Sequence, residues 1–374
     1  MWWLFVVVKV AVCDEVRRCL WIGEVARKTS KQSEEMVCIQ GRRPSFAAGS
    51  SLRWPNLLGI GTGKSGSTAT AEVLHETRRV IVGHGRKCCY GETYFLTTPS
   101  ELRRGLAAYS EHFRVPETNR TVAYYDKTPR YSSHLLAPYR ARAVLTKHLR
   151  FVFTTREPLE LDASFYLHAS NKTLRTVPYF KFVTSRIAVH EQFADCRRRH
   201  LEDHGDIYNS SRYDWFETAE IEAKLVKACG LGEGFYHPAQ ASLMTSLAPR
   251  NLRRWTHVFP DENSYLCLAN EDLLANPESA RAKLLDFVGI PRDTLRRRRR
   301  LDVVPRTTAV DRLFALQLDR FYPTRDATWV TSHVDHAQSL LLATIASHLE
   351  CADLEAVDTF CGFMPPYYER FRCV

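Results

Sequence analysis

The glycine-rich segment 56–74 carries the residues best suited to bind a phosphate group. It reads NLLGIGTGKSGSTATAEVL, so an apolar run ending in glycine precedes a lysine and several hydroxyl side chains. This pattern predicts a strand, a tight loop and a helix that begins near Ser67. Backbone N–H groups at such a turn, and the partial positive charge of the helix N-terminus, attract anions. We therefore predict a phosphate site formed by Lys64, Ser65, Gly66, Ser67 and Thr68; the alternative is a turn whose glycines only permit tight packing.

The same segment departs from the loop of nucleoside-triphosphate enzymes. That loop needs G-x-x-x-x-G-K-[ST], and counting back from Gly63-Lys64 puts its first glycine at Leu58. Gly59 comes one residue too late, which changes the N–H groups that converge on a phosphate. No evident Mg²⁺-binding aspartate of the Walker-B kind accompanies the segment, so a P-loop-like kinase is the weaker alternative.

Segment 151–166, FVFTTREPLELDASFY, offers a second set of phosphate donors. Arg156 follows a predicted central strand, at the sheet edge where open α/β proteins bind ligands. Pro158 is typical of a first helical turn, and Ser164 comes two turns later. A guanidinium and a hydroxyl together suit a phosphate. The alternative is that Arg156 forms only an ion pair, with Glu157 or Asp162.

The KSGST sequence of residues 64–68 resembles the loop of sulfotransferases that use 3′-phosphoadenylyl sulfate (PAPS). Three further segments resemble the same enzymes in the same order. GETYF at 91–95 is similar to the K-E-x-Y-F segment of heparan-sulfate-type sulfotransferases, with glycine in place of lysine. YDKTPRY at 125–131 is similar to E-K-[ST]-P-x-Y, and the third match is the strand–R-[DE]-P–helix unit around Arg156.

Weaker matches extend the resemblance over about residues 54–325. NEDL at 270–273 and LDFVGI at 285–290 are similar to scaffold segments of the superfamily. Arg306-Thr307 is similar to the late G-R-T segment that covers the cofactor, without its glycine. The resemblance implies an α/β fold in which helices flank a central parallel sheet, the P-loop-like sulfotransferase fold.

The resemblance also implies roles for individual residues. Glu92 would be the general base, and Lys64 and Lys127 would be the cations that stabilise the transferring group and the leaving phosphate. PAPS would be the co-substrate, bound by Lys64–Thr68, Arg156, Ser164, Arg306 and Thr307, and no metal would be required. Many small-molecule sulfotransferases use histidine as the base, so His134 and His148 are rival candidates.

The elements that position these residues alternate along the chain. Short apolar runs at 56–61, 80–82, 122–125, 151–155 and 265–269 predict strands, and helical stretches lie between them. Because parallel strands need helix-length crossovers, the order predicts a parallel sheet covered on both faces. We divide the chain into an N-terminal stem (1–53), a sulfotransferase domain (54–325) and a C-terminal extension (326–374).

Composition limits the classes of function. The 374 residues are 45% hydrophobic and 25% charged, which excludes collagen-like, wholly disordered and polytopic membrane proteins. Half of the net charge of +10 comes from Arg296–Arg300. An anionic partner such as an acidic glycan is compatible with this charge, and no nucleic acid is expected. A non-enzymatic polyanion-binding protein that uses this arginine run is the third hypothesis.

Cysteines, sequons and the N-terminus bear on the compartment. The eleven cysteines form no C-x-x-C pair, and either free buried thiols or one to three disulfides fit them. Glycosylation sequons begin at Asn119, Asn171 and Asn209. The apolar segment 1–13 is interrupted by Lys9 and is short for a bilayer span, but could be a truncated signal anchor. We expect the Golgi, with the cytoplasm as the alternative.

The sequence thus predicts sulfuryl transfer from PAPS to a hydroxyl or amine, with a carbohydrate as acceptor. A small-molecule or lipid alcohol is the alternative acceptor. The acceptor-binding residues would lie in loops between the shared segments, near 170–260, and that region matches nothing we recognise.

Overall fold

A computed structural model describes residues 18–24, 34–39, 53–84, 91–114, 121–145, 148–170, 177–209, 211–229, 246–294 and 308–371. Within these ranges lie the strands β1 (Arg18–Glu24), β2 (Glu34–Ile39), β3 (Leu57–Gly59), β4 (Val80–Val82), β5 (Ala123–Asp126), β6 (Arg150–Thr155) and β7 (Tyr265–Ala269). Strands β3 to β7 form one sheet in the order β4-β5-β3-β6-β7, and every adjacent pair is parallel. The predicted fold class, a central parallel sheet flanked by helices, is confirmed.

The strand order explains why the sequence motifs can meet. Strand β3 lies in the middle, between β5 and β6. The residues that follow these three strands therefore emerge side by side at one edge of the sheet. The glycine-rich loop follows β3, Lys127 follows β5 and Arg156 follows β6.

The helices cover both faces of this sheet. They are α1 (Ser67–Glu76), α2 (Pro99–Arg103), α3 (Gly105–Ser110), α4 (Arg130–Ser133), α5 (Ala137–Val144), α6 (Pro158–Ser170), α7 (Tyr179–Leu201), α8 (Trp215–Ala228), α9 (Ala248–Val258), α10 (Asn270–Ala275), α11 (Pro277–Val288), α12 (Ala309–Leu316), α13 (Ala327–His348), α14 (Cys351–Cys361) and α15 (Pro366–Glu369). Gly105 adopts φ 75° and separates α2 from α3.

Apolar clusters fill both faces of the sheet. On one face Phe151 and Phe153 pack with Trp255 of α9, and on the other Val152 packs with Leu74 and Leu284. The C-terminal residues belong to the same packing: members of α14 and α15 join the first cluster, and α13 packs with α6 and α7 in a third cluster. The segment that we expected as an extension therefore contributes to the core.

Disulfides, one of the two alternatives for the cysteines, occur in the described part of the chain. Cys196 of α7 is bonded to Cys229, which follows α8. Cys267 of β7 is bonded to Cys361 at the end of α14. Both pairs join segments that are distant in sequence, 33 and 94 residues apart.

The expected stem contains structure that the sequence did not predict. Strands β1 and β2 form an antiparallel hairpin in which Arg18 pairs with Ile39. The apolar segment 1–13 lies outside the described residues, as does the arginine run 296–300. In the described ranges, no helix has the length and apolar character to cross a bilayer.

Candidate active site

The loop between β3 and α1 forms an open turn suited to an anion. Lys64 and Gly66 both have positive φ, at 69° and 93°. Gly66 occupies the N-cap of α1 and has no side chain, so no side-chain hydrogen bond caps the N–H groups of the first turn. Gly61 lies so close to β6 that a Cβ there would be 1.9 Å from Thr154 Oγ1. The loop is therefore pressed against the sheet while its helix end is left uncapped.

The hydroxyl groups of this loop face in different directions. Ser65 is fully buried, and its hydroxyl donates to Thr62 O and lies 2.7 Å from Thr154 Oγ1. That hydroxyl joins the loop to β6, and its predicted contact with a ligand stays a prediction. Ser67 is also buried, whereas Thr68 is exposed.

Thr68, Lys127 and Glu92 form a continuous chain of polar contacts. Lys127 Nζ donates to Thr68 Oγ1 at 3.2 Å and to Glu92 Oε1 at 2.9 Å. The Lys127 side chain is only 2% exposed and the Glu92 side chain 14% exposed. The ion pair offsets the cost of burying the ammonium. The structure thus brings the predicted base, one predicted cation and the N-terminal turn of α1 together.

Tyr94 holds the second oxygen of the Glu92 carboxylate. Its hydroxyl donates to Glu92 Oε2, and its backbone has φ 58°, which is strained for an aromatic residue. Burial, followed by the hydrogen bond to Glu92, raises the pKa of Tyr94 well above its usual value. The phenol is therefore a hydrogen-bond donor to the carboxylate. Sequence reasoning placed Tyr94 in a motif without giving it a role.

Asp126 fixes the backbone on which Glu92 sits. It is fully buried and accepts hydrogen bonds from four hydroxyl groups, those of Thr93, Tyr109, Thr128 and Tyr131. Burial raises the pKa of its carboxyl, and these donors oppose the rise. Thr128 Oγ1 in turn accepts from the backbone N–H groups of Thr93 and Tyr94. The sequence gave no signal for this network beyond the position of Asp126 in YDKTPRY.

Gly91 is explained by its contact with Lys127. Its φ is 80°, and its carbonyl accepts a hydrogen bond from Lys127 N at 2.7 Å. A Cβ at this position would be 3.2 Å from Lys127 Cβ and 3.1 Å from Val82 Cγ1. The lysine of the related motif would therefore meet both backbone strain and crowding here.

Arg156 joins the glycine-rich loop to helix α6. Its Nη1 donates to Lys64 O at 3.1 Å, and its Nη2 donates to Glu160 Oε2 at 2.7 Å. The expected alternative, an ion pair with Glu157 or Asp162, names the wrong acid, because Glu160 is the partner and Asp162 pairs with Arg186. Arg156 Nε is buried and has no hydrogen-bond partner among the described residues. Of the five N–H donors of this guanidinium, two make the bonds to Lys64 and Glu160.

Ser164 and the helix around it lie against the same loop. Ser164 is partly buried in the second turn of α6. The neighbouring Phe165 approaches Gly63 so closely that a Cβ on the glycine would be 3.0 Å from its ring. Arg306 and Thr307, the other predicted cofactor residues, lie outside the described residues.

The rival histidines occupy different surroundings. His134 is buried, and burial together with Arg140, Arg130 and Arg254 lowers its pKa well below the ordinary range. Its Nδ1 accepts the backbone N–H of Leu136. His148 is exposed and precedes β6.

One group of potential metal ligands occurs among the described residues. Cys196, His200 and Cys229 have ligand atoms within 4.8 Å of one another. The two sulfurs are bonded to each other, so neither is present as the thiolate that binds metals.

Residues 55–308 match the family model described as "Sulfotransferase domain". The chain belongs to the sulfotransferase family. The match begins just before β3 and ends at Thr308, so it includes the glycine-rich loop, Glu92, Lys127 and Arg156. Membership indicates a transferase of sulfuryl groups in general.

Solved sulfotransferase structures resemble this chain at low identity. The crystal structure of a sulfotransferase from Alicyclobacillus acidocaldarius is 14% identical, with a TM-score of 0.45, over 78% of this chain and 97% of that one. The sulfotransferase domain of the Synechococcus PCC 7002 olefin synthase is also 14% identical, with a TM-score of 0.35, over 80% and 98%. No curated protein matches the sequence.

Proposed function

We propose that this sulfotransferase uses PAPS as its donor and transfers the sulfuryl group to a hydroxyl or amine of a carbohydrate. The observation that carries the proposal is the chain of contacts from Thr68 through Lys127 to Glu92, with distances of 3.2 and 2.9 Å. It joins a carboxylate to the N-terminal turn of α1. A base for the acceptor and a site for an anionic donor are therefore adjacent.

The donor site is formed by the ends of β3 and β6. The uncapped N-terminus of α1 and Lys64 suit the 5′-phosphosulfate, because both supply positive charge. Arg156, whose guanidinium has N–H donors beyond the two bound to Lys64 and Glu160, suits the 3′-phosphate, and Ser164 lies on the adjoining helix. Arg306 and Thr307 are proposed to complete this site.

The reaction is an in-line displacement at sulfur. The acceptor oxygen forms a bond to sulfur while the bond from sulfur to the bridging phosphate oxygen breaks. Glu92 removes the acceptor proton, Tyr94 and Lys127 hold its carboxylate in place, and the products are the sulfate ester, 3′-phosphoadenosine 5′-phosphate (PAP) and a proton. Lys64 and Lys127 stabilise the charge that moves to the leaving phosphate.

The choice of a carbohydrate acceptor follows from the identity of the base. A carboxylate at position 92 resembles the heparan-sulfate-type enzymes, whereas many small-molecule enzymes use histidine. His134, the nearest histidine in sequence to Lys127, is buried and interacts electrostatically with three arginines. A small-molecule or lipid alcohol is the alternative acceptor within the same reaction.

We also propose a Golgi location. The two described disulfides suit an oxidising compartment. Asn209, the first residue of one sequon, is exposed in the turn between α7 and α8, where a glycan could be attached. The other two sequon asparagines lie outside the described residues.

A thermal-shift comparison of PAP with ATP tests the donor, and transfer from ³⁵S-labelled PAPS tests the acceptor. PAP should stabilise the protein more than ATP does at equal concentration. The acceptor panel should contain desulfated glycans, phenols, sterols and polyketide alcohols, and label should enter the glycans. Stabilisation by ATP alone would contradict the proposal that PAPS is the donor. Labelling of sterols or phenols alone would show that the acceptor is a small-molecule or lipid alcohol and not a carbohydrate.

A further inference from the structure

Tyr368 of the C-terminal helix α15 and Arg370, just after that helix, contact the residues on either side of Arg156 at the end of β6. The hydroxyl of Tyr368 lies 3.4 Å from Thr155 Oγ1. Arg370 Nη2 donates to Glu157 Oε1 at 2.7 Å. Thr155 and Glu157 are the two sequence neighbours of Arg156, so the C-terminal residues hold the chain on either side of it.

These C-terminal residues are firmly placed. Tyr368 is 1% exposed and belongs to the apolar cluster that contains Phe151 and Phe153 of β6. The disulfide between Cys361 and Cys267 ties the preceding helix to the next strand, β7. A contact from such a fixed segment can constrain its partner, because little of its own freedom remains to be lost.

Glu157 is held by several groups at once. Its backbone N–H donates to Glu271 Oε1 at 3.0 Å, and its Oε2 accepts the backbone N–H of Glu160 at 2.8 Å. Arg370 occupies the remaining carboxylate oxygen. The turn that presents Arg156 is thus fixed from α10, from α6 and from the C-terminal segment.

We propose that Tyr368 and Arg370 are positioning residues for the donor nucleotide, acting by fixing the turn from which Arg156 reaches the 3′-phosphate. Both lie beyond residue 308, where the family match ends. The inference rests on the proposed function, because it requires a donor with a 3′-phosphate. Its specific consequence concerns ligand chemistry: the C-terminal contacts should matter only when the ligand carries that phosphate.

The test compares PAP with adenosine 5′-phosphate, which lacks the 3′-phosphate. Binding of both nucleotides is measured by calorimetry to the full-length protein and to Arg370→Ala, Tyr368→Phe and the double variant. The matched control is Arg198→Ala, which removes an exposed ion pair within α7, with Asp195. Because partly exposed ion pairs contribute up to about 1 kcal/mol, Arg370→Ala should weaken PAP binding by about two- to fivefold. The affinity for adenosine 5′-phosphate should not change.

The outcomes separate this inference from the function on which it rests. A loss confined to PAP, larger in the double variant and absent in Arg198→Ala, supports the positioning role. Equal losses of affinity for both nucleotides would mean that the C-terminal segment has only a structural role. Unchanged affinities for both would mean that it has no role in nucleotide binding. If the unmodified protein binds PAP no better than adenosine 5′-phosphate, the proposed donor itself fails.

Discussion

The ammonium of Lys127 lies between Glu92 and Thr68, 2.9 Å from the carboxylate and 3.2 Å from the hydroxyl. The lysine follows β5 and the hydroxyl belongs to the helix after β3, so the contact links two neighbouring strand ends. A buried ammonium in this position can stabilise negative charge both at Glu92 and next to Thr68. This geometry makes the proposed roles open to separate tests.

Replacing Glu92 with glutamine tests the general base. Glu92→Gln keeps the shape of the side chain and a hydrogen-bond acceptor for Lys127 but removes the base. Because a positioned general base contributes about 10²–10⁴-fold, kcat should fall by that factor. Transfer assays with saturating PAPS measure the change.

A thermal shift with PAP provides the control for Glu92→Gln. Glu92 is outside the proposed donor site, so PAP should stabilise the variant as it stabilises the unmodified protein. Retained activity would assign the base to another group, and loss of both activity and PAP binding would make Glu92 structural.

Substitution of Lys64 tests the glycine-rich loop. Lys64→Ala should abolish transfer and weaken PAP binding, because the ammonium is proposed to contact the phosphosulfate. Lys64 has φ 69°, a backbone strain that alanine keeps and glycine would relieve. Lys64→Gly should therefore show the same loss of transfer in a backbone free of that strain. Near-normal turnover in the glycine variant would rule out this loop as the PAPS site.

Arg156→Ala should mainly raise the KM for PAPS. A contact with the 3′-phosphate is retained from the ground state to the transition state, so kcat should change little. Loss of a charge-assisted hydrogen bond, worth about 1.5–3 kcal/mol, corresponds to an increase in the KM for PAPS of about 10- to 100-fold. Initial-rate kinetics measure it, with the exposed Arg320→Ala as the control. An unchanged KM would leave Arg156 with its structural contacts to Lys64 and Glu160 alone.

Asp126→Asn tests the network beneath Glu92. The amide cannot accept all four hydroxyl donors, so the free energy of unfolding should fall by about 1–3 kcal/mol, and kcat should fall with it. Because burial raises the pKa of Asp126 above its ordinary 3.8, the stability of the unmodified protein should decline as pH rises from that value through the folded pKa. The asparagine variant lacks this titration.

The stability deficit of Asp126→Asn should consequently shrink over that pH range. Urea unfolding of both proteins from pH 3.5 upward measures the deficit. A deficit that grows with pH would mean that the four hydroxyls stabilise the ionised carboxylate more than burial destabilises it.

The five central strands could be predicted because strands buried on both faces are continuous apolar runs. Helix α9 is hard to predict for the opposite reason: it contains Arg253 and Arg254, whose residue type is typical of the surface, yet both are buried. Their partners are remote in sequence; Arg253 pairs with Asp206 and Glu350, for example. A pattern of single residues does not reveal such pairing.

The same limit applies to the candidate site. The motifs placed Lys64, Lys127 and Arg156 after strands, and neighbouring parallel strands bring their carboxyl ends together. Motifs could not indicate that Ser65 turns inward or that Glu160 is the partner of Arg156. The first depends on how the loop packs against β6, a contact over about 90 residues of sequence, whereas Arg156 and Glu160 form a local i,i+4 pair whose formation in place of pairs with Glu157 or Asp162 depends on the geometry of the turn before α6.

The bond between Cys267 and Cys361 has a consequence for producing this protein. It closes a segment of 94 residues that ends at the helix leading to Tyr368 and Arg370. In the chain-entropy model, closing a loop of that length raises the free energy of the unfolded state by about 4.7 kcal/mol. Material made in a reducing host cytosol would lack this covalent link between β7 and the C-terminal helices, and with it that contribution to stability. Secretion into an oxidising compartment is therefore the preparation to use before inactivity is attributed to a wrong donor or acceptor.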